Sequence, residues 1–138
     1  MKSVSLSFLS WVLALLLSGC ALNKNSSHSL PALMVERLNW MVDVTPAKQV
    51  KSLHLTDSVR EAELLRTMTQ RGVAAGLKEE NVRRFFTGQM QAAKVVQEEW
   101  LRRHPQGVTS YVKVPDLKQT VRPALDEIGQ KMIVSLAT

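Results

Sequence analysis

Apolar residues recur at three- and four-residue spacing from Leu30 almost to the C-terminus, with charged and amide residues between them. That period belongs to helices packed by one face. Ser29 and Pro31 read as a helix start: a capping hydroxyl, then a proline whose missing N–H costs nothing in the first turn. Leu30, Met34, Leu38, Met41 and Val42 follow as a stripe, and Thr45-Pro46 predicts either a kink or a new start. Asp57-Ser58 with Glu61 offers an Asx cap or a capping box. Val59, Ala62, Leu65, Met68, Gly72 and Ala75 continue a helical stripe, and Gly76 suits the residue just past its end.

A third helix is expected from about Lys78 to Arg103, with Val82, Phe85/Phe86, Gln89/Met90, Ala93, Val96/Gln97 and Trp100 on one side. His104-Pro105-Gln106-Gly107 breaks it. A loop then runs to Pro115, and its strand-like stretch, Val108 to Val114, is read as loop. Asp116 can cap a last helix carrying Val121, Leu125, Ile128, Met132 and Leu136. Pro123 requires that this helix bend, or that it begin near Thr120 with the proline in its first turn. The expectation is an all-α bundle of about four main helices, with a core that a second subunit can complete.

The first residues follow another pattern. Lys2 precedes an apolar run from Leu6 to Leu17 that ends in Leu17-Ser18-Gly19-Cys20. A charged start, a short apolar core and small residues at a cleavage site make an export signal, too short for a comfortable membrane span. The ending resembles the lipobox of bacterial lipoproteins, which implies lipidation of Cys20; an ordinary signal cleaved nearby is the alternative. Ala21 after the cysteine implies sorting to the outer membrane in that family. The expected organisation is a signal over residues 1–20, a polar tether over 21–28 and a helical domain over 29–138.

Composition narrows the chemistry. The chain has 138 residues, 18 Lys+Arg, 12 Asp+Glu and a formal net charge of +6, which points to anionic partners. A single cysteine excludes an internal disulfide and deprives zinc-ribbon and iron–sulfur sites of their ligands. His28, His54 and His104 are scattered, with no partner at metal-ligand spacing. No nucleophile elbow, P-loop or dinucleotide fingerprint is present. Neither a metal nor a cofactor is expected.

One anomaly stands out within the helical pattern. Arg37 and Lys48 lie eleven residues apart, about three turns, so a continuous helix puts them on one face with Met41 and Val44 between. Gln97 falls beside Ala93 and Trp100, where hydrocarbon would be expected, and Asp57, Arg60, Glu61 and Leu64 form another face bearing charge. Buried charge is costly unless paired, so inward cations imply an anionic ligand. The pattern equally allows Arg37 and Lys48 to snorkel at a rim, with Arg60, Glu61 and Gln97 solvated. Arg83-Arg84, Lys94 and Arg102-Arg103 could form a basic patch for nucleic acid or lipid headgroups. Glu79-Glu80 and Glu98-Glu99 interrupt it, so a solvated face is expected and nucleic acid is not.

These residues carry a resemblance. Val35-Glu36-Arg37-Leu38, Lys48, Asp57-Ser58-Val59-Arg60-Glu61 and the run Gln89 to Gln97, in that order and with those gaps, resemble the all-helical chorismate mutases. Pro115 to Arg122 looks like the exported subclass, and the resemblance spans roughly residues 30 to 135. It implies a Claisen rearrangement of chorismate to prephenate, which needs no nucleophile, metal or cofactor. Arg37, Arg60 and Arg122 would then pair with the substrate carboxylates, and Lys48 and Gln97 would donate to its ether oxygen. Glu61 would accept from the ring hydroxyl, with the backbone around Asp57 orienting it. Lys48, Gln97 and Arg60 are the catalytic candidates.

In the cytosolic subclass one arginine comes from the partner's N-terminal helix. The segment between Cys20 and Arg37 holds no arginine, and Arg122 fills that role in the exported subclass from within the same chain. One departure is Ala93, where the family often has Ser or Thr; another is the missing disulfide that the exported subclass can carry. The resemblance further implies a homodimer. A lipid-anchored helical module that binds an acidic metabolite or a protein without turnover uses the same cationic pocket and remains the alternative.

Overall fold

The computed structural model describes residues 29–107 and 113–138, so the signal, Cys20 and the tether lie outside the described residues. Five α-helices follow in order: α1 (Leu30–Asn39), α2 (Met41–Val50), α3 (Ser58–Ala74), α4 (Glu79–Arg103) and α5 (Arg122–Ala137). A π-helical turn, Leu117–Val121, leads directly into α5. The all-α expectation holds, with α1 and α2 as two halves of one interrupted helix.

That interruption lies at Trp40, earlier than Thr45-Pro46 suggested, and Pro46 sits inside α2. Next to it the fully buried Thr45 hydroxyl donates back to the Met41 carbonyl at 2.7 Å, which gives the hydroxyl a partner within its own helix. Trp40 packs against both apolar clusters of the described residues.

The helix ends follow local chemistry. The Asp57 carboxylate caps α3 by accepting from the Arg60 backbone N–H at 3.0 Å. At the other end Gly76, at φ +85°, lets the Leu77 N–H reach the Gly72 carbonyl, a Schellman closure. α2 closes in the same way, with Leu53 N–H on the Lys48 carbonyl, but Ser52 occupies the left-handed position at φ +51°. Asp116 caps the π turn through the Lys118 and Gln119 N–H groups, both at 2.7 Å. The Val121 N–H then reaches the Asp116 carbonyl at 3.1 Å, five residues back, and Pro123 falls in the first turn of α5.

Two clusters make the core. Leu33, Met68, Val82, Phe86, Ile128, Met132 and Ile133 join α1, α3, α4 and α5. Met41, Val44, Ala47, Ala93, Leu117 and Val121 join α2, α4 and the π turn. Two of the expected stripes need correction. Val42 and Val59 are 53% and 80% exposed, and Ala62 and Ala75 also face out, while Leu33 and Thr69 are buried instead. Lys113 to Asp116 have no regular structure, as expected for a loop; residues 108–112 of the strand-like stretch lie outside the described residues.

Candidate active site

The second cluster floors a cavity between α2, α3, α4 and the start of α5. All seven site residues named from the sequence line it: Arg37, Lys48, Asp57, Arg60, Glu61, Gln97 and Arg122. They arrive from each of the five helices and from the cap of α3. The solvated alternatives for Arg37 and Gln97 therefore fail, since these side chains are 5% and 4% exposed.

Arg37 is the most constrained cation. Its Nη1 is buried with no hydrogen-bond partner among the described residues, and burial pushes its pKa below the ordinary arginine value. A buried, unpaired guanidinium N–H is unfavourable until an acceptor reaches it.

Lys48 points into the cavity from the last turn of α2, and its ammonium donates to the Leu55 carbonyl. An ammonium has three donors, so two remain for a ligand. Desolvation lowers the Lys48 pKa; the charges of Asp57 and Glu61 oppose this, and those of Arg122 and Lys94 add to it.

Gln97 uses one amide N–H on the Ala93 carbonyl, at 3.2 Å, and its Oε1 is buried without a partner among the described residues. Its second N–H remains to donate. Arg60 is 37% exposed and bonds Glu63 at 2.7 Å through Nη1, which leaves the rest of its fork for an anion.

Arg122 enters at the first residue of α5, directly after the π turn. Two ion pairs hold that region in place: Lys51 with Asp116 at 2.9 Å, and Arg71 with Asp126 at 3.1 Å. The Gln119 N–H first, then Lys51 and the Lys118 N–H, hold the Asp116 carboxyl down to about 2.

One pocket residue was assigned elsewhere by the sequence. Lys94, placed with the basic surface patch, lines the cavity and pairs with Glu61 at 2.8 Å. The signal was available, because Met90, Lys94 and Gln97 share a face at four- and three-residue spacing. The remainder of that patch is neutralised in part: Arg102 and Arg103 both bond Glu99, at 2.7 and 2.6 Å.

Five cations and three carboxylates line the cavity, leaving two excess positive charges above an apolar floor. Such a site suits a compact dianion, held by arginine forks and polarised by Lys48 and Gln97. Among the described residues no cluster of acidic, histidine or cysteine side chains could hold a metal ion, and no helix is long and apolar enough to cross a membrane.

Comparison with known proteins bears on the family and the fold. The family model described as chorismate mutase type II matches residues 28–98. Among solved structures, a chorismate mutase from Burkholderia thailandensis is 30% identical with a TM-score of 0.75, over 82% of this chain and 72% of that one. A chorismate mutase from Burkholderia phymatum shares the fold at 24% identity and a TM-score of 0.72, over 82% of this chain and 70% of that one. No curated protein matches the chain. The family match stops before the π turn and Arg122, and the fold brings Arg122 to the cavity from outside the matched residues. The chain belongs to the chorismate mutase type II family.

Proposed function

We propose that the chain is an isomerase that converts chorismate to prephenate in the cavity between α2, α3, α4 and α5. The observation that carries this reading is the convergence of Arg37, Lys48, Arg60, Gln97 and Arg122 on one apolar-floored pocket within a single chain. The two excess positive charges there match the two carboxylates of chorismate.

In the rearrangement the ether C–O bond breaks as a new C–C bond forms within the same molecule. No proton, electron or group leaves. Catalysis therefore consists of holding the compact conformer and stabilising negative charge as it builds on the ether oxygen. Arg37, Arg60 and Arg122 hold the carboxylates, which fixes the reacting carbons in proximity. Lys48 and the spare N–H of Gln97 donate to the ether oxygen. Glu61 accepts from the ring hydroxyl, and the Asp57 cap fixes the turn that presents Arg60 and Glu61. The apolar floor of Met41, Val44, Leu117 and Val121 lowers the local dielectric and strengthens each contact.

The test is loss of chorismate absorbance on adding purified residues 21–138, beside Arg60→Ala. Turnover by the parent, reduced at least tenfold in the variant, supports the enzyme. A folded protein without turnover favours the binding module, which the hydroxyl-free Ala93 would suit.

We further propose that the chain belongs to the exported subclass and acts outside the cytoplasm as a homodimer, anchored through a lipid on Cys20. The Lys2 to Cys20 pattern and the position of Arg122 support this. Fractionation of cells expressing the full chain tests it: Cys20→Ser should release the protein from the outer membrane. Sedimentation of the soluble domain tests the dimer.

A further inference from the structure

The Lys94–Glu61 ion pair is the part of the pocket that the proposed roles leave unexplained. It links α4 to the first turn of α3 at 2.8 Å, with side chains 33% and 28% exposed, and both residues line the cavity. The other ion pairs among the described residues are more solvated, including those within α4 and α5. We propose that Lys94 is a positioning residue: it holds one oxygen of the Glu61 carboxylate so that the other faces the ring hydroxyl of the substrate. The inference rests on the proposed isomerase activity, and it adds a residue to that site.

The surrounding charges show why Glu61 needs such a partner. Its neighbour Arg60 is engaged by Glu63 at 2.7 Å, so it does not fix Glu61. Glu61 also acts electrostatically on Lys48, the ammonium assigned to the ether oxygen. A Glu61 carboxylate released from Lys94 would turn toward Lys48 and occupy donors that the transition state requires. Lys94 therefore keeps two groups of opposite charge apart inside one pocket. It also belongs to the same turn of α4 as Gln97, three residues on, so a single helix face locates the donor for the ether oxygen and the support of the hydroxyl acceptor.

The experiment compares kcat and KM for chorismate in the parent, Lys94→Met, Lys94→Arg, Glu61→Gln and the double variant Lys94→Met/Glu61→Gln. Thermal melts confirm folding, and Lys94→Gln replaces Lys94→Met should the latter fail to fold. Lys94→Met is expected to lower kcat/KM about tenfold, and Lys94→Arg to recover it to within about threefold. In the Glu61→Gln background the same Lys94→Met change should cost less than about threefold, because the carboxylate it served is gone.

Equal losses in both backgrounds would overturn the positioning role, since Lys94 would then act on the substrate or the fold directly. A Lys94→Met variant as active as the parent would overturn it too. Absence of turnover in the folded parent would instead overturn the isomerase reading on which the inference rests.

Discussion

Gln97 donates to the carbonyl of Ala93, 3.2 Å away and one turn back on α4, and both residues line the charged cavity. The residue that departs from the family pattern thus supplies, through its backbone, the contact that orients the proposed ether-oxygen donor.

An amide donates at any pH, whereas a carboxyl donates only when protonated. Gln97→Glu should therefore be active in acid and lose activity as pH rises through the pKa of the new carboxyl. The pH profile of kcat/KM checks this. Full activity of the variant at pH 8 would remove Gln97 from the role of donor.

Lys48 sets the other limit. In its proposed role it must carry its proton to donate, and desolvation lowers its pKa below the ordinary lysine value. The protonated, active form is lost as pH rises through that lowered value. The alkaline limb of kcat/KM, which reports the free enzyme, should fall at a lower pH than an ordinary lysine would give. Lys48→Arg should remove the limb, since arginine stays protonated throughout the range. A limb that persists in Lys48→Arg would assign it to another group.

Ala93 is 6% exposed and lines the cavity, yet offers no side-chain donor. Ala93→Ser adds one hydroxyl beside the residues proposed to bind the substrate carboxylates. A hydrogen bond to a charged group contributes about 1.5–3 kcal/mol. KM should fall by roughly tenfold or more with little change in kcat. An unchanged KM would mean that the hydroxyl turns back to its own helix instead.

Much of this site is legible in the chain because its spacing is rigid. Arg60 and Glu61 follow the Asp57 cap in the first turn of α3, and Gln97 sits one turn beyond Ala93, so local helix geometry fixes their relation. What periodicity misses is which of several near-apolar faces turns inward. Val42 and Val59 fit an apolar stripe, yet tertiary packing selects Leu33 and Thr69. Lys94 is missed because a charged residue beside Glu98 and Glu99 reads as solvated, and only the approach of α3 shows its partner. The break at Trp40 is equally tertiary: a large ring bridges two clusters that a sequence window does not connect.

Helix packing allows a contrast in stability. A Cβ on Gly72 would lie 2.6 and 2.9 Å from the two methyl carbons of Val82, a stiff neighbour held by α4. On Gly129 it would meet the tip of Met68, at 2.9 Å from Cε, and that tip can swing aside. Gly72→Ala should therefore destabilise by about 1–3 kcal/mol, and Gly129→Ala by less. Denaturant unfolding of both variants checks the order, and equal or reversed losses would refute the packing account.

The π turn before α5 has a consequence for how the chain tolerates change in length. Between the Asp116 cap and Arg122 the backbone bonds close over five residues instead of four, so the turn holds one residue more than an α-helical turn would. Each helical residue rotates the chain by about 100°. Deleting one residue between Asp116 and Arg122 would turn α5 as a unit by about that angle, so Arg122 would leave the cavity and Ile128, Met132 and Ile133 would leave the core together. Insertions between Lys113 and Asp116 would only lengthen an irregular segment. The turn thus works as a phase adjuster: its extra residue brings Arg122 to the cavity and the buried stripe of α5 to the core at once, so a single-residue deletion there would cost stability as well as the site.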